Sequence, residues 1–108
     1  MVVTGAGIIT ALGRGWGVNA SGFREGRTAV REVRGFDVSR QRARRVAEID
    51  LPERMPATAL GARQERRLDR AGRMLLIAAA EAWAQAGWEE GLAGLPVVLG
   101  TTSGGMAL

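Results

Sequence analysis

Cysteine, histidine, tyrosine and lysine are all missing from this sequence of 108 residues, and every one of its 15 basic residues is arginine. Without Cys or His, these residues offer neither a thiolate nucleophile nor an imidazole base. Without Lys, Schiff-base chemistry and a P-loop lysine are excluded as well. A metal site would have to be built from scattered carboxylates alone, so no metal and no cofactor is expected. The absence of Cys also removes disulfides and gives no positive sign of secretion. No apolar run approaches the roughly 18 residues of a membrane span, and the first residues lack the basic flank and apolar core of a signal peptide. No membrane contact is expected, and a cytoplasmic location is.

What is present is globular material: 46% hydrophobic and 24% charged residues, in a length that suits one small domain. The formal charge of +4 raises the question of an acidic partner. Arg40, Arg42, Arg44 and Arg45 form one cluster, and Arg63, Arg66, Arg67, Arg70 and Arg73 form another. The simplest reading places them on solvated faces, paired with neighbours such as Glu65 and Asp69. An acidic protein surface is the second reading. Nucleic acid is set aside, because no aromatics accompany the charges to stack on bases.

Val2–Thr4 reads as a short strand, followed by a glycine-rich loop from Gly5 to Gly13. Trp16 to Glu25 suits a weak helix stopped by Gly26. Gly35 to Ser39 suits a turn in which Asp37 or Ser39 bonds nearby backbone N–H groups. Val46 to Ile49 is a candidate strand, and Leu51 to Gly61, with Pro52 and Pro56, an irregular connection. Glu65 to Ala86 is the clearest helix, its apolar stripe running through Leu68, Leu75, Leu76, Ala79, Ala82 and Trp83. Gly87 should end it, and Leu95 to Leu99 should form a last strand. Met74 to Ala80 is apolar on all sides, which predicts burial on all sides. Two or three short strands cannot supply that cover. Together with the apolar Met106-Ala107-Leu108 close, this predicts that residues 1–108 are the N-terminal segment of a larger domain. A small protein that closes its core by oligomerising is the alternative.

Each glycine-rich stretch has a ligand reading and a structural one. Gly5-Ala6-Gly7 resembles the start of a dinucleotide fingerprint, but Thr10 stands where the third glycine belongs, and Glu25 and Glu32 do not end a second strand. A structural turn is therefore preferred there. Gly100-Thr101-Thr102-Ser103-Gly104-Gly105 follows an apolar run, where glycines let a backbone or a ligand come close. Its hydroxyls lack a base to activate them, and both readings stay open.

Taken in order, these motifs resemble the start of a β-ketoacyl-acyl-carrier-protein synthase of the thiolase-like superfamily. The features that carry the likeness are Val2-Val3-Thr4-Gly5-Ala6-Gly7, Thr10-Ala11-Leu12-Gly13 (with Ala11 in the family's proline position), Phe36-Asp37-Val38-Ser39, Leu68-Asp69-Arg70, Ala86-Gly87-Trp88 and the Gly-Thr-x-x-Gly-Gly loop. The resemblance implies an α/β, thiolase-like fold of two related halves, of which residues 1–108 are part of the first. It implies decarboxylative condensation of an acyl thioester with a malonyl thioester, in fatty acid or polyketide synthesis. The Cys and two His used for this lie beyond the Gly-Gly loop in the family, so no catalytic residue is carried over. One substrate-lining residue is: Ser103, just before the Gly-Gly pair, would face the acyl pocket. Acyl carrier protein is the implied partner and a homodimer the implied full-length assembly. A catalytically silent ketosynthase-like subunit and a small Arg-rich interaction module are the rival readings.

Overall fold

The computed structural model describes residues 1–88 and 94–101. Its elements run β1 (Ile9–Thr10), β2 (Gly13–Arg14), α1 (Trp16–Arg24), β3 (Arg31–Glu32), β4 (Arg45–Val46), α2 (Ala62–Glu65) and α3 (Arg70–Ala86). Strands β1 and β2 pair antiparallel, with Ile9 opposite Arg14 and Thr10 opposite Gly13, while β3 and β4 form a second antiparallel pair. The described residues are thus a small mixture of helix and ribbon. No sheet of more than two strands is formed among them.

The opening differs from expectation in a specific way. Val2–Thr4 is not a strand, and the glycine-rich stretch behind it is not a plain loop but contains the β1–β2 hairpin. The hydroxyl of Thr10 accepts from the Leu12 amide at 3.0 Å and so closes the turn. Gly13 has φ +143°, a conformation that glycine adopts readily. Asn19, on α1, is wholly buried. Its Nδ2 donates to the carbonyls of Gly13 and Gly15, at 3.0 and 2.8 Å, and its Oδ1 accepts from the Thr10 hydroxyl. A buried amide with all these partners joins hairpin and helix into one unit, and leaving them unmatched would cost about 1–3 kcal/mol.

Helix α3 starts later than its apolar periodicity suggests. Asp69 is in an extended conformation and its side chain accepts from the Gly72 amide at 2.7 Å, a cap worth about 1 kcal/mol. The stretch from Glu65 to Asp69 therefore splits into the end of α2 and a connection. Gln64 reaches back to the Gly61 amide at 2.9 Å, which is half of a capping box, since Gly61 has no side chain to return the bond. At its far end α3 stops as expected, on Gly87 in the left-handed region at φ 68°. Trp88 follows, its ring edge-on to Trp83 with centroids 5.0 Å apart.

Leu95–Leu99 is not in a ladder, and of Val46–Ile49 only Val46 is in a strand, as the second residue of β4. A strand exists only with a hydrogen-bonding partner, and the described residues give these runs little or none. The same shortage shows in the core. Among the described residues Ile77 is the only buried hydrophobic side chain, and Leu75 and Trp83 on the same helix are exposed. The all-round burial expected for Met74 to Ala80 is therefore not reached. The chain exposes 9085 Å², whereas a compact monomer of 11.4 kDa exposes roughly 5,800 Å². Its radius of gyration is 16.2 Å, against about 13 Å for a compact chain of this length.

Candidate functional site

Two extended segments lie along α3, and both ends of the chain's glycine-rich pairing are in them. The opening one runs antiparallel to the helix. A Cβ built on Gly5 would fall 2.1 Å from the carbonyl oxygen of Ala82, and one on Gly7 would fall 1.8 Å from that of Ala78. Glycine is required at both places because backbone meets backbone. The intervening amides turn the other way: Ala6 donates to Gln85 Oε1 at 2.6 Å, and Ile8 donates to Glu81 Oε2 at 2.9 Å. The match is geometric. Two residues of extended chain advance about 6.6 Å, and four of helix about 6 Å.

This arrangement answers the dinucleotide reading. A pyrophosphate would need free N–H groups at the loop and at the start of the next helix. Here Ala6 and Ile8 are already bonded, and the Trp16 amide, at the start of α1, donates to Glu81 Oε1 at 2.6 Å. One of the acceptors is a carboxylate, which would repel phosphate. The glycines of the opening serve close packing.

The closing segment follows the same helix in the same direction as the opening one. Leu95 and Val97 share a groove with Thr4, Gly5, Ala82 and Trp83, and farther along Leu99, Gly100 and Thr101 meet Ala71, Gly72 and Leu75. This second contact borders a half-open apolar cavity of about 290 Å³ at the base of the Gly-Thr-x-x-Gly-Gly loop. Ser103, assigned to an acyl pocket on the strength of the sequence, lies outside the described residues. The part of its loop that is described, Gly100 and Thr101, lines this cavity. Thr101 supplies a hydroxyl to its lining, and the nearby Asp69 carboxylate is occupied as the α3 cap. Among the described residues no group of three or more His, Cys, Asp or Glu could hold a metal, and no helix is long and apolar enough to cross a membrane.

The cluster arginines lie on solvated faces as expected, with Arg73 half-buried, but their partners are not the ones expected. Among the described residues the ion pairs join Arg27 to Glu25 and Arg31 to Glu48 and Asp50, and none uses Glu65 or Asp69. Cluster arginines instead donate to loop carbonyls: Arg44 to Ser39, Arg45 to Val30 and Arg70 to Ile49. They tie down a stretch too polar to fold around a core. The Arg31 hydrogen bond at 2.6 Å holds the Asp50 carboxyl below its ordinary range, and Asp50 in turn raises Arg31. Asp37 is lowered by the Ser39 amide and hydroxyl, the turn expected there.

Glu81, Gln85 and Asn19 were not singled out from sequence. The signal was available for the first two: polar residues four apart, following an otherwise apolar helix segment. For Asn19 there was none, since its partners are backbone carbonyls.

With this geometry in view, comparison with known proteins gives one result. The family model described as beta-ketoacyl synthase, N-terminal domain, matches residues 1–107. No curated protein and no solved structure matches the chain.

Proposed function

Because the chain belongs to the β-ketoacyl synthase family, we propose that it is the N-terminal segment of a condensing enzyme that joins an acyl thioester to a malonyl thioester with loss of carbon dioxide. The family implies a thiolase-like fold. The observation that carries the reading is the family match along nearly the whole chain. Under it, the Cys and two His of the reaction come from the rest of the parent polypeptide, which also covers the exposed valines of the two extended segments. This chain supplies α3 and the loop that follows the second segment. Ser103 then lines the acyl pocket, and the apolar cavity against Gly72, Leu75 and Leu99 supports that placement. An acyl carrier protein, acidic in this family, would deliver substrate to a cytoplasmic homodimer, and the arginine excess suits such a partner.

The test is an assay of malonyl-thioester decarboxylation with the full product of the parent gene. The parent should turn over and the 108 residues alone should read blank. A parent without the Cys would instead be a silent subunit. In an active parent, Ser103→Phe should slow long acyl primers at least about tenfold more than short ones, since overfilling a pocket costs about 1–3 kcal/mol. Equal loss at every primer length would remove Ser103 from the pocket.

A further inference from the structure

Helix α1 begins without a cap of its own. Its N-cap residue is Gly15, at φ 95°, with no side chain to accept from the first turn, and no acidic residue stands in that turn. The missing acceptor comes from another helix. Glu81 Oε1 accepts from the Trp16 amide at 2.6 Å, while its second oxygen accepts from Ile8. A Cβ at Gly15 would stand 3.3 Å from Glu81 Oε1, so the bare glycine also makes room for this carboxylate. Among the described residues α1 packs on β1 and β2 and makes no close backbone approach to α3.

We propose that Glu81 is a helix cap supplied in trans, one carboxylate that fastens both the glycine-rich opening and the start of α1 to α3. The charge suits the site, because a helix N-terminus favours an anion. Hairpin and α1 are joined to each other independently, through Asn19, so loss of the clasp separates α1 from α3 without dissolving the unit. The inference does not depend on the proposed reaction.

Hydrogen exchange read by mass spectrometry on the 108-residue chain tests it. In Glu81→Ala, peptides covering 5–10 and 17–24 should both exchange roughly ten- to a hundredfold faster, the range of a charge-assisted hydrogen bond, with 70–80 nearly unchanged. Trp16→Pro, compared with Trp16→Ala, which loses the same indole but keeps the amide, removes only the α1 donor, and proline is well tolerated at the first helical position. It should speed exchange of 17–24 and leave 5–10 protected. The second variant decides the matter even if Glu81→Ala unfolds the whole chain. Unchanged exchange of 17–24 in Trp16→Pro overturns the proposal, and so does a gain at 5–10 as large as at 17–24.

Discussion

The opening and closing segments have the same design on paper, a β-branched run that breaks into glycine, and both lie on α3. They are held in opposite ways. The opening is clasped: Gly5 and Gly7 press on helix carbonyls and the amides of Ala6 and Ile8 are taken by Gln85 and Glu81. The closing one only rests there: Val97 and Val98 are exposed as Val2 and Val3 are, but among the described residues nothing lies within 4 Å of where a Cβ on Gly100 would stand. Identical local signatures therefore say little about what a glycine is for. The neighbour decides: the Ala78 and Ala82 carbonyls require the glycines, and Glu81 and Gln85 hold the amides beside them.

The sharpest way to break the comparison is to add one methyl group to each segment. Gly7→Ala places a Cβ on the Ala78 carbonyl, and backbone cannot yield as a side chain tip does. The expected loss is about 3 kcal/mol or more, enough to unfold much of a small domain. Gly100→Ala should stay within about 0.5 kcal/mol. Denaturant midpoints of the two variants measure the difference, and similar midpoints would erase the distinction between clasped and resting segments.

A smaller effect should come from the surface that the closing segment leaves open. The chain should bind a hydrophobic dye or self-associate, because its exposed apolar side chains exceed those of ordinary monomers. Replacing Val97 and Val98 by Ser should lower the dye signal, while Asn19→Ala, which opens the hairpin unit, should raise it. A chain that stays monomeric and binds no dye would contradict this.

The smallest expected effect is a control that lies in neither segment. Asp50 is held below its ordinary pKa by Arg31. A carboxyl whose folded value is depressed stabilises the fold above its unfolded value, near about 4, and loses that contribution as pH falls through the folded value. Asp50→Asn should therefore remove a small stabilisation that is full at pH 7, flatten the acid limb below about pH 4, and match the unsubstituted chain at the bottom of that limb. The pair is solvent-exposed, so the change is slight, and the gap between Gly7→Ala and Gly100→Ala should persist across the pH range.

How much was legible in advance follows from the range of each interaction. Trp16 to Arg24 and the body of α3 announce themselves through local periodicity and through Gly26 and Gly87, whose stop signals need no distant partner. Asp69 shows how a cap can overrule periodicity: its side chain starts the helix at Arg70 although the apolar stripe begins at Leu68. The Asp37–Ser39 turn was readable for the same local reason.

What composition and motif order determined by themselves is the absence of Cys, His and Lys chemistry in these residues and the family to which the chain belongs. Both are properties of the residues alone and survive any arrangement of them. Only the tertiary structure decided that Val2–Thr4 and Leu95–Leu99 join no ladder among the described residues, because a strand is a relation between two segments. Only it decided that the opening glycines face helix carbonyls and not a phosphate. That choice depends on Glu81 arriving from more than sixty residues away, and no local pattern around Gly5 or Gly7 records it.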